Sequence, residues 1–437
     1  MEWWLVLLIS LSCLMVAFLT GVPIAFAFLF VNLVGVCIYW GGHGGLLLLA
    51  ESMVSSTATF ILLPIPLFIF MGEVMFQSGQ AAKVLDTCDK WMGRVPGRLG
   101  LLAVVAGTIF GTMTGVTQAS IAMLGSLMVE NMEKKGYKRP MSLGPILGSG
   151  GLAIMIPPSA FAVFIAALAD ISVGKVLVGG IIPGLCMAFL YGSYIVIRCY
   201  FQPSLAPHYE VAQIPFSEKM KATVKYVFPL SFIVFLVIGL IILGVASPSE
   251  SAAMGVLGSL ILAAVQRKLN FGIIFRSVHA TIKVSVMIFM IIAGAQAFSQ
   301  ILAFSGASQG ISEFVVSLPL SPTLLVIAMM VVLIFFGMFI PSSAGLMVVI
   351  PIYMPVIKSL GLDPVWFGLL LLLNTEMSLT SPPFGMGLFT MKGVAPPDTT
   401  MKEIILAALP FLYCDSIVLI SMILFPQIVI WPLKMIF

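Results

Sequence analysis

Apolar runs of about 20 residues, the length a spanning helix needs, follow one another along this whole chain with short polar punctuation between them. In hydrocarbon every backbone N–H and C=O must find a partner inside the protein, which leaves helices or closed barrels as the only spanning structures. Barrel strands alternate apolar and polar residues over about 10 positions, and these runs do not. The chain is therefore read as an all-α polytopic membrane protein with roughly ten spanning segments. Its 9% of charged residues compares with about 25% in soluble domains.

Other features agree with a bilayer. The opening MEWWLVLLISLSCLMVAFLTGVP has no basic leader region and no small-residue cleavage site, so it is expected to remain as a first helix, with Trp3 and Trp4 at the interface. The six cysteines stand singly in spacings that fit neither a disulfide framework nor a metal site. The net charge of +4 is scattered over loops, which a membrane explains and nucleic acid does not.

Against this background the stretch GGLAIMIPPSAFAVF (150–164) is anomalous. Pro157 and Pro158 lack amide hydrogens, and their rings clash with carbonyls one turn back, so a helix through them must break. The break has an echo 225 residues later, where Pro382 follows the same distance after Pro157 in SLTSPPFGMG (378–387). Upstream, FGTMTGVTQAS (110–120) and FFGMFIPSSAG (335–345) place Gly111 and Gly337 226 apart. Each half then reads as leading helices, a Gly/Ser/Thr-interrupted segment, a polar corner and a Pro-Pro-broken segment. The first repeat is placed at 1–198, with a re-entrant hairpin at 98–133 and a broken helix at 137–170. The second is placed at 227–437, with its hairpin at 321–361 and broken helix at 364–392. The polar linker 199–226 separates them.

Lysine and arginine set the orientation, because cytoplasmic loops are enriched in them. With the first hairpin opening to the cytoplasm and the second outwards, 18 of the 21 basic residues fall inside and only Lys175, Lys358 and Lys434 outside. The halves are thus expected to be inverted-topology repeats, with a cytoplasmic linker and both termini outside.

Unwound backbone at membrane depth is tolerated only inside protein or along a cavity, and paired breaks in inverted repeats point to a binding site at the midplane. Hydroxyls of Thr112, Thr114, Ser342, Ser343, Thr380 and Ser381 beside freed carbonyls suit a hard cation such as Na⁺. Gly111, Gly115, Gly150, Gly151 and Gly337 allow close backbone approach, and half-helix N-termini suit an anionic substrate. The same residue types also serve helix packing and back-bonding to helix carbonyls. Glu376, beside Asn374 and four residues before Thr380, is read either as a proton- or substrate-contacting group or as a carboxyl tied to hairpin backbone. Glu73 and Asp415 are weaker candidates, placeable near a membrane surface, and Glu250 and Asp170 are read as helix caps. There is no G-x-x-x-x-G-K-[ST], H-E-x-x-H or G-x-S-x-G. The chain is therefore not expected to be an enzyme, and transport energy must come from an ion gradient, where one charge crossing ~100 mV supplies ~2.3 kcal/mol.

GTMTGVTQASIAMLGSLMVENMEKKGY, GSGGLAIMIPPSAFAVFIAALADISVGKVLVGGIIPG, SPSESAAMGVLGSLILA, GMFIPSSAGLMVVIPIYMPVIKSLGLDPVWFG and NTEMSLTSPPFGMGLF together resemble the large membrane subunit of the tripartite ATP-independent periplasmic (TRAP) transporters. The resemblance implies Na⁺-driven uptake of organic acids across a bacterial or archaeal inner membrane, with a small four-helix membrane subunit and a soluble periplasmic substrate-binding protein as partners. It also implies an elevator mechanism, in which a transport domain slides against a scaffold. By position, one Na⁺ site would lie between Thr112–Gly115 and the break near Gly150–Pro157. A second would lie between Gly337–Ser343 and Thr380–Pro382, with substrate between them near Ser159, Gln118, Asn374 and Glu376. The chain departs from the family at Pro341, where an acid is common, at Glu73, where Asn is more usual, and at Thr117 and Gln118, which replace smaller residues. A binding-protein-independent Na⁺ or H⁺ symporter of similar fold, and a passive channel or scaffold, are the alternatives at this stage.

Overall fold

The computed structural model describes residues 2–40, 43–93, 95–114, 117–207 and 214–437, the side chains of residues 43, 81 and 112–114 aside. The first half holds α1 (Trp3–Leu19), α2 (Ile24–Tyr39), α3 (His43–Thr57), α4 (Pro64–Gln77), α5 (Gln80–Trp91), α6 (Arg98–Thr114), α7 (Thr117–Lys134), α8 (Arg139–Met155), α9 (Ala160–Leu168), α10 (Val173–Gly179) and α11 (Ile181–Phe201). After α12 (Phe216–Ala222) come α13 (Phe228–Ile242), α14 (Pro248–Val265), α15 (Phe271–Phe304), α16 (Ala307–Ser317), α17 (Pro322–Phe339) and α18 (Ser342–Ser359). The chain ends with α19 (Pro364–Thr380), α20 (Met386–Val394), α21 (Met401–Leu424) and α22 (Gln427–Ile436).

The helix boundaries follow local chemistry. Ser247 and Glu250 form a reciprocal cap that starts α14, and Thr400 and Glu403 do the same for α21. Asp363 accepts from the backbone N–H groups of Val365 and Trp366 at the start of α19. Asp170 is not a cap: it sits past the end of α9 with φ 53°, and the hydroxyl of Ser172 caps α10 instead.

Duplication is visible in the register. Adding 225 to the bounds of α7 and α8 gives 342–359 and 364–380, which are the bounds of α18 and α19. Gly136 and Gly361, which turn the chain between these helices in each half, are also 225 apart, and both take the positive φ that glycine accepts without penalty.

Among the described residues eight helices are long and apolar enough to cross a membrane, or nine if α8 and α9, bent by 51° at the first break, count as one. This is fewer than the ten or so expected. Hydropathy registers an apolar run whether or not the backbone crosses in one piece, and α1 and α2 stop at 17 and 16 residues.

The core is built around the two broken helices. Residues 141–155 of α8 and 366–380 of α19 are buried without interruption, so neither helix has a face for lipid. The arms α6 and α7 and the helices α11 and α21 enclose α8, while α17, α18 and α21 pack on α19. A second group, α2, α3, α4, α13, α14 and α15, packs mainly on itself and presents exposed Phe232, Phe235, Leu257 and Val286. At one end Arg139 pairs with Asp398 and Glu403, fastening the start of α8 to the connection before α21.

The contact of α8 with α21 leaves no room for a methyl group: a Cβ on Gly144 would lie 2.6 Å from the carbonyl oxygen of Ala407. Because that neighbour is backbone, Gly144→Ala is expected to destabilise the protein by about 1–3 kcal/mol. In thermal unfolding of detergent-solubilised protein the midpoint should fall. Gly393→Ala, at a position where an added Cβ meets nothing within 4 Å, should leave it unchanged or slightly raised.

Candidate functional site

Both Pro-Pro bonds, Pro157–Pro158 and Pro382–Pro383, are cis. At the first break α8 gives way to extended backbone at Ile156, and Ser159 restarts the helix by accepting from the N–H of Ala162 at 3.2 Å. Pro157, Pro158 and Ser159 are all buried. The second break differs. Ser381 is buried and Pro382 half-buried, but Pro383 and Phe384 are exposed. One interruption is sealed inside the bundle and the other opens at its edge.

The two broken helices touch at Gly151 and Glu376. A Cβ on Gly151 would lie 2.0 Å from Oε1 of Glu376, so the glycine is what makes room for the carboxylate. These positions are 225 apart, and residues that touch their own counterparts lie on the axis relating the two halves. Glu376 is fully buried; its Oε2 accepts from the hydroxyl of Thr117 at 3.2 Å, and its Oε1 has no hydrogen-bond partner among the described residues. None of the ion pairs among the described residues includes it. Beside it, Gly150 packs against Ile121 and Thr117 of α7.

Two residues before Glu376, and so on the far face of α19, Asn374 donates from Nδ2 to the carbonyl of Met330 in α17 at 2.9 Å, and its Oδ1 has no partner among the described residues. Gly337 of α17 packs against Ser378 so closely that a Cβ would lie 2.4 Å from that of Ser378. Ser342, the first residue of α18, is buried with an unpartnered Oγ, while Ser343 beside it is half-buried. The hydroxyls of Thr380 and Ser381 donate to the carbonyl of Met377 at 3.3 and 2.7 Å. They spend their hydrogen on their own helix and keep lone pairs free.

The structure thus brings Gly150, Gly151, Glu376 and Thr117 together, and separately Gly337, Asn374 and the end of α19. Gln118 is half-buried at the start of α7, and no hydrogen bond joins Ser159 to Asn374 or Glu376 among the described residues. The tip from Thr112 through Thr114 to Gly115, expected to hold the first ion, lies outside the described residues in its side chains and at Gly115. Asp415 does not lie at the surface of the bundle. It is buried in the middle of α21 and takes a hydrogen bond from Tyr191 of α11, whose ring packs on Phe411. Its place fifteen residues into a 24-residue apolar helix was the signal for that depth. Glu73 is half-buried and accepts from Gln77 of its own helix at 3.3 Å.

Chemically the arrangement offers buried oxygens in want of a partner: Glu376 Oε1, Asn374 Oδ1 and Ser342 Oγ. A carboxylate out of water with no base beside it needs a cation or a proton, and an all-oxygen donor set fits a hard cation. A helical bundle whose two central helices unwind inside the protein has the architecture of a secondary transporter.

Comparison with known proteins agrees. The family model for the tripartite ATP-independent periplasmic transporter, DctM component, matches residues 11–428. The C4-dicarboxylate TRAP transporter large permease protein of Pseudomonas aeruginosa is 30% identical over 87% of this chain and 88% of its own. The 2,3-diketo-L-gulonate TRAP transporter large permease protein of Escherichia coli is 27% identical over 98% and 99% respectively, and the ectoine TRAP transporter large permease protein of Halomonas elongata 29% over 94% and 95%. Among solved structures, that of the Alcanivorax borkumensis YdaH transporter aligns with 94% of this chain and 99% of its own at a TM-score of 0.66 and 15% identity, a likeness of fold. The chain is a multi-pass membrane protein of the TRAP transporters, the large permease component; its relatives are named as transporter permeases and not as enzymes.

The Gly151–Glu376 contact makes a specific prediction. Gly151→Ala should lower the unfolding midpoint in detergent, and should do so less when Glu376 is also replaced by alanine, because the shorter side chain vacates the space. Strictly additive effects of the two substitutions would show that the side chains do not meet.

Proposed function

We propose that this chain takes up a small organic acid by Na⁺ symport, receiving it from a periplasmic substrate-binding protein and working with a small four-helix membrane subunit in a bacterial or archaeal inner membrane. The observation that carries the reading is three buried oxygens in the second half that lack partners among the described residues, Ser342 Oγ, Asn374 Oδ1 and Glu376 Oε1. A Na⁺ ion bound between Gly337–Ser343 and Thr380–Pro382 accepts lone pairs that the helix leaves over, and a cation or proton neutralises Glu376, whose carboxylate lies against Gly151 and Thr117. The first ion belongs to the counterpart position, between Thr112–Gly115 and Gly150–Pro157. Substrate then sits between the two, near Gln118, Ser159 and Asn374, with its carboxylate facing the half-helix N-terminus that Ser159 begins.

Support for the substrate class comes from relatives whose names give C4-dicarboxylate and 2,3-diketo-L-gulonate. Support for an elevator motion comes from the packing, in which the hairpins and broken helices form one group and α2–α4 with α13–α15 another. The lysine and arginine asymmetry supports a cytoplasmic linker and outer termini.

In proteoliposomes supplied with the binding protein and small subunit, uptake should follow an imposed Na⁺ gradient. Thr380→Ala and Ser343→Ala should each raise the Na⁺ concentration for half-maximal uptake by about three- to tenfold, the loss of one ligand worth roughly 1 kcal/mol. Unchanged Na⁺ dependence in both variants removes the second site from these residues. Uptake that follows a proton gradient and is abolished by Glu376→Gln replaces Na⁺ with H⁺, and leakage through this chain alone without a gradient defeats the symport reading.

A further inference from the structure

A crevice of about 550 Å³ separates the α3–α15 pair from the ends of α9 and α18. Its wall on the α3–α15 side is polar: Ser55, Ser56 and Thr59 at the end of α3 face the crevice, as do Gln296, Ser299 and Gln300 of α15. The spacing of Gln296, Ser299 and Gln300 puts them on one face of α15, and Thr59 lies just past the end of α3 at Thr57. Across the gap stand one base, Lys358 near the end of α18, and one acid, Asp170 beyond α9. Neither belongs to the ion pairs found among the described residues.

The crevice continues. Ser55 and Gln300 also line a neighbouring space of about 640 Å³ that passes Glu51 and Ser52 and ends at Tyr39, Trp40 and Phe304. Ser52 is buried, only 6% exposed, and its Oγ has no hydrogen-bond partner among the described residues. Ser55 and Ser56 donate to the carbonyls of Ser52 and Met53 and keep lone pairs free, and unmet hydrogen-bonding capacity along a membrane helix is costly, so the crevice suits water or a polar solute. The ends of α15 differ in charge: Arg276 and Lys283 lie in its first half, and no lysine or arginine lies in residues 284–304. The crevice adjoins the second half, which the positive-inside rule puts on the outer side.

We infer that the joined crevices form the aqueous route from the extracytoplasmic surface towards the broken helices, and that Lys358 attracts the carboxylate of an organic acid whose hydroxyl or amino groups meet the hydroxyl and amide side chains of α3 and α15. This rests on the transport reading above and adds the path and the residue that favours anions along it. The joined lining carries this one base and two acids, Asp170 and Glu51, so the attraction is local to Lys358, which suits a solute that must leave again.

Thiol labelling tests the route without turnover or a known substrate. Ser56→Cys and Ser299→Cys, near-isosteric changes, are compared with Val54→Cys on the exposed apolar face of α3; the parent chain, whose Cys37 and Cys186 are exposed, is the blank. In right-side-out vesicles, membrane-impermeant methanethiosulfonates should modify both crevice cysteines at least about tenfold faster than Val54→Cys, since only a hydrated thiol ionises and reacts. At low salt, Lys358→Gln should lower the ratio of sulfonate to trimethylammonium reagent rates at Ser299→Cys by about threefold or more, and Asp170→Asn should raise it. Reaction as slow as at Val54→Cys, or only from the cytoplasmic face, overturns the route; a ratio indifferent to Lys358→Gln overturns the role of that lysine. Failed labelling with Na⁺-driven uptake intact counts against the crevice alone, whereas labelling as expected with no Na⁺-driven uptake counts against the symport reading.

Discussion

A helix that stops at membrane depth must keep its freed carbonyls and amides inside protein, because lipid offers them nothing. The rest of this fold serves that requirement. Fifteen consecutive residues are buried in each broken helix, far beyond the one stripe an amphipathic helix hides, and such enclosure takes neighbours on every side. The helix pairs that precede the broken helices supply these neighbours, α6 and α7 against α8, and α17 and α18 against α19. Glycines at 144, 150, 151 and 337 bring those neighbours close enough to exclude lipid. Where enclosure is relaxed, at Pro383 and Phe384, polar groups have the access that a binding site needs.

Duplication alone would give two equal sites, and the contact at the axis shows how the equality is broken. Position 151 carries glycine and its counterpart 376 carries glutamate, so one half contributes space and the other the charge that fills it. The same backbone register therefore yields a single acidic centre, held by Thr117 from the first hairpin. Asp415 stands near this pattern on the helix that packs against both broken ones, and Tyr191 meets part of its need for hydrogen bonds. Two buried carboxyls without a basic partner make the centre of the molecule a place where a cation or proton is favoured before any substrate arrives.

Much of this was legible in the sequence because it is local. Proline pairs break helices regardless of context, S-P-S-E and T-M-K-E start them, and an echo at constant spacing announces repetition. What escaped is of two kinds. The meeting of Gly151 with Glu376, and of Thr117 with the same carboxylate across 259 residues, depends on how two helices cross, which no local pattern encodes. Asp170 read as a cap because its type fits one, although its φ of 53° places it beyond a helix end. Asp415 is a different case: a lone acid in an apolar run marks either an exposed position or a buried partner, and packing shows the partner, Tyr191.

The halves diverge again in the surrounding helices. Shifting α15 back by 225 gives 46–79, a stretch that in the first half is divided into α3 and α4 at a turn followed by Pro64 and Pro66. An unbroken helix of 34 residues can act as a rigid post, while its divided counterpart ends α3 at Thr57 and leaves Ser55, Ser56 and Thr59 at the crevice. The counterparts of Gln296, Ser299 and Gln300 are Met71, Val74 and Met75, which are buried in the apolar core. Among the described residues the polar face of α15 at the crevice therefore has no polar counterpart on α4. Entry and exit need not be mirror images: the fold repeats the device that grips the cargo, and changes in side chains and one helix break make the two approaches to it unlike.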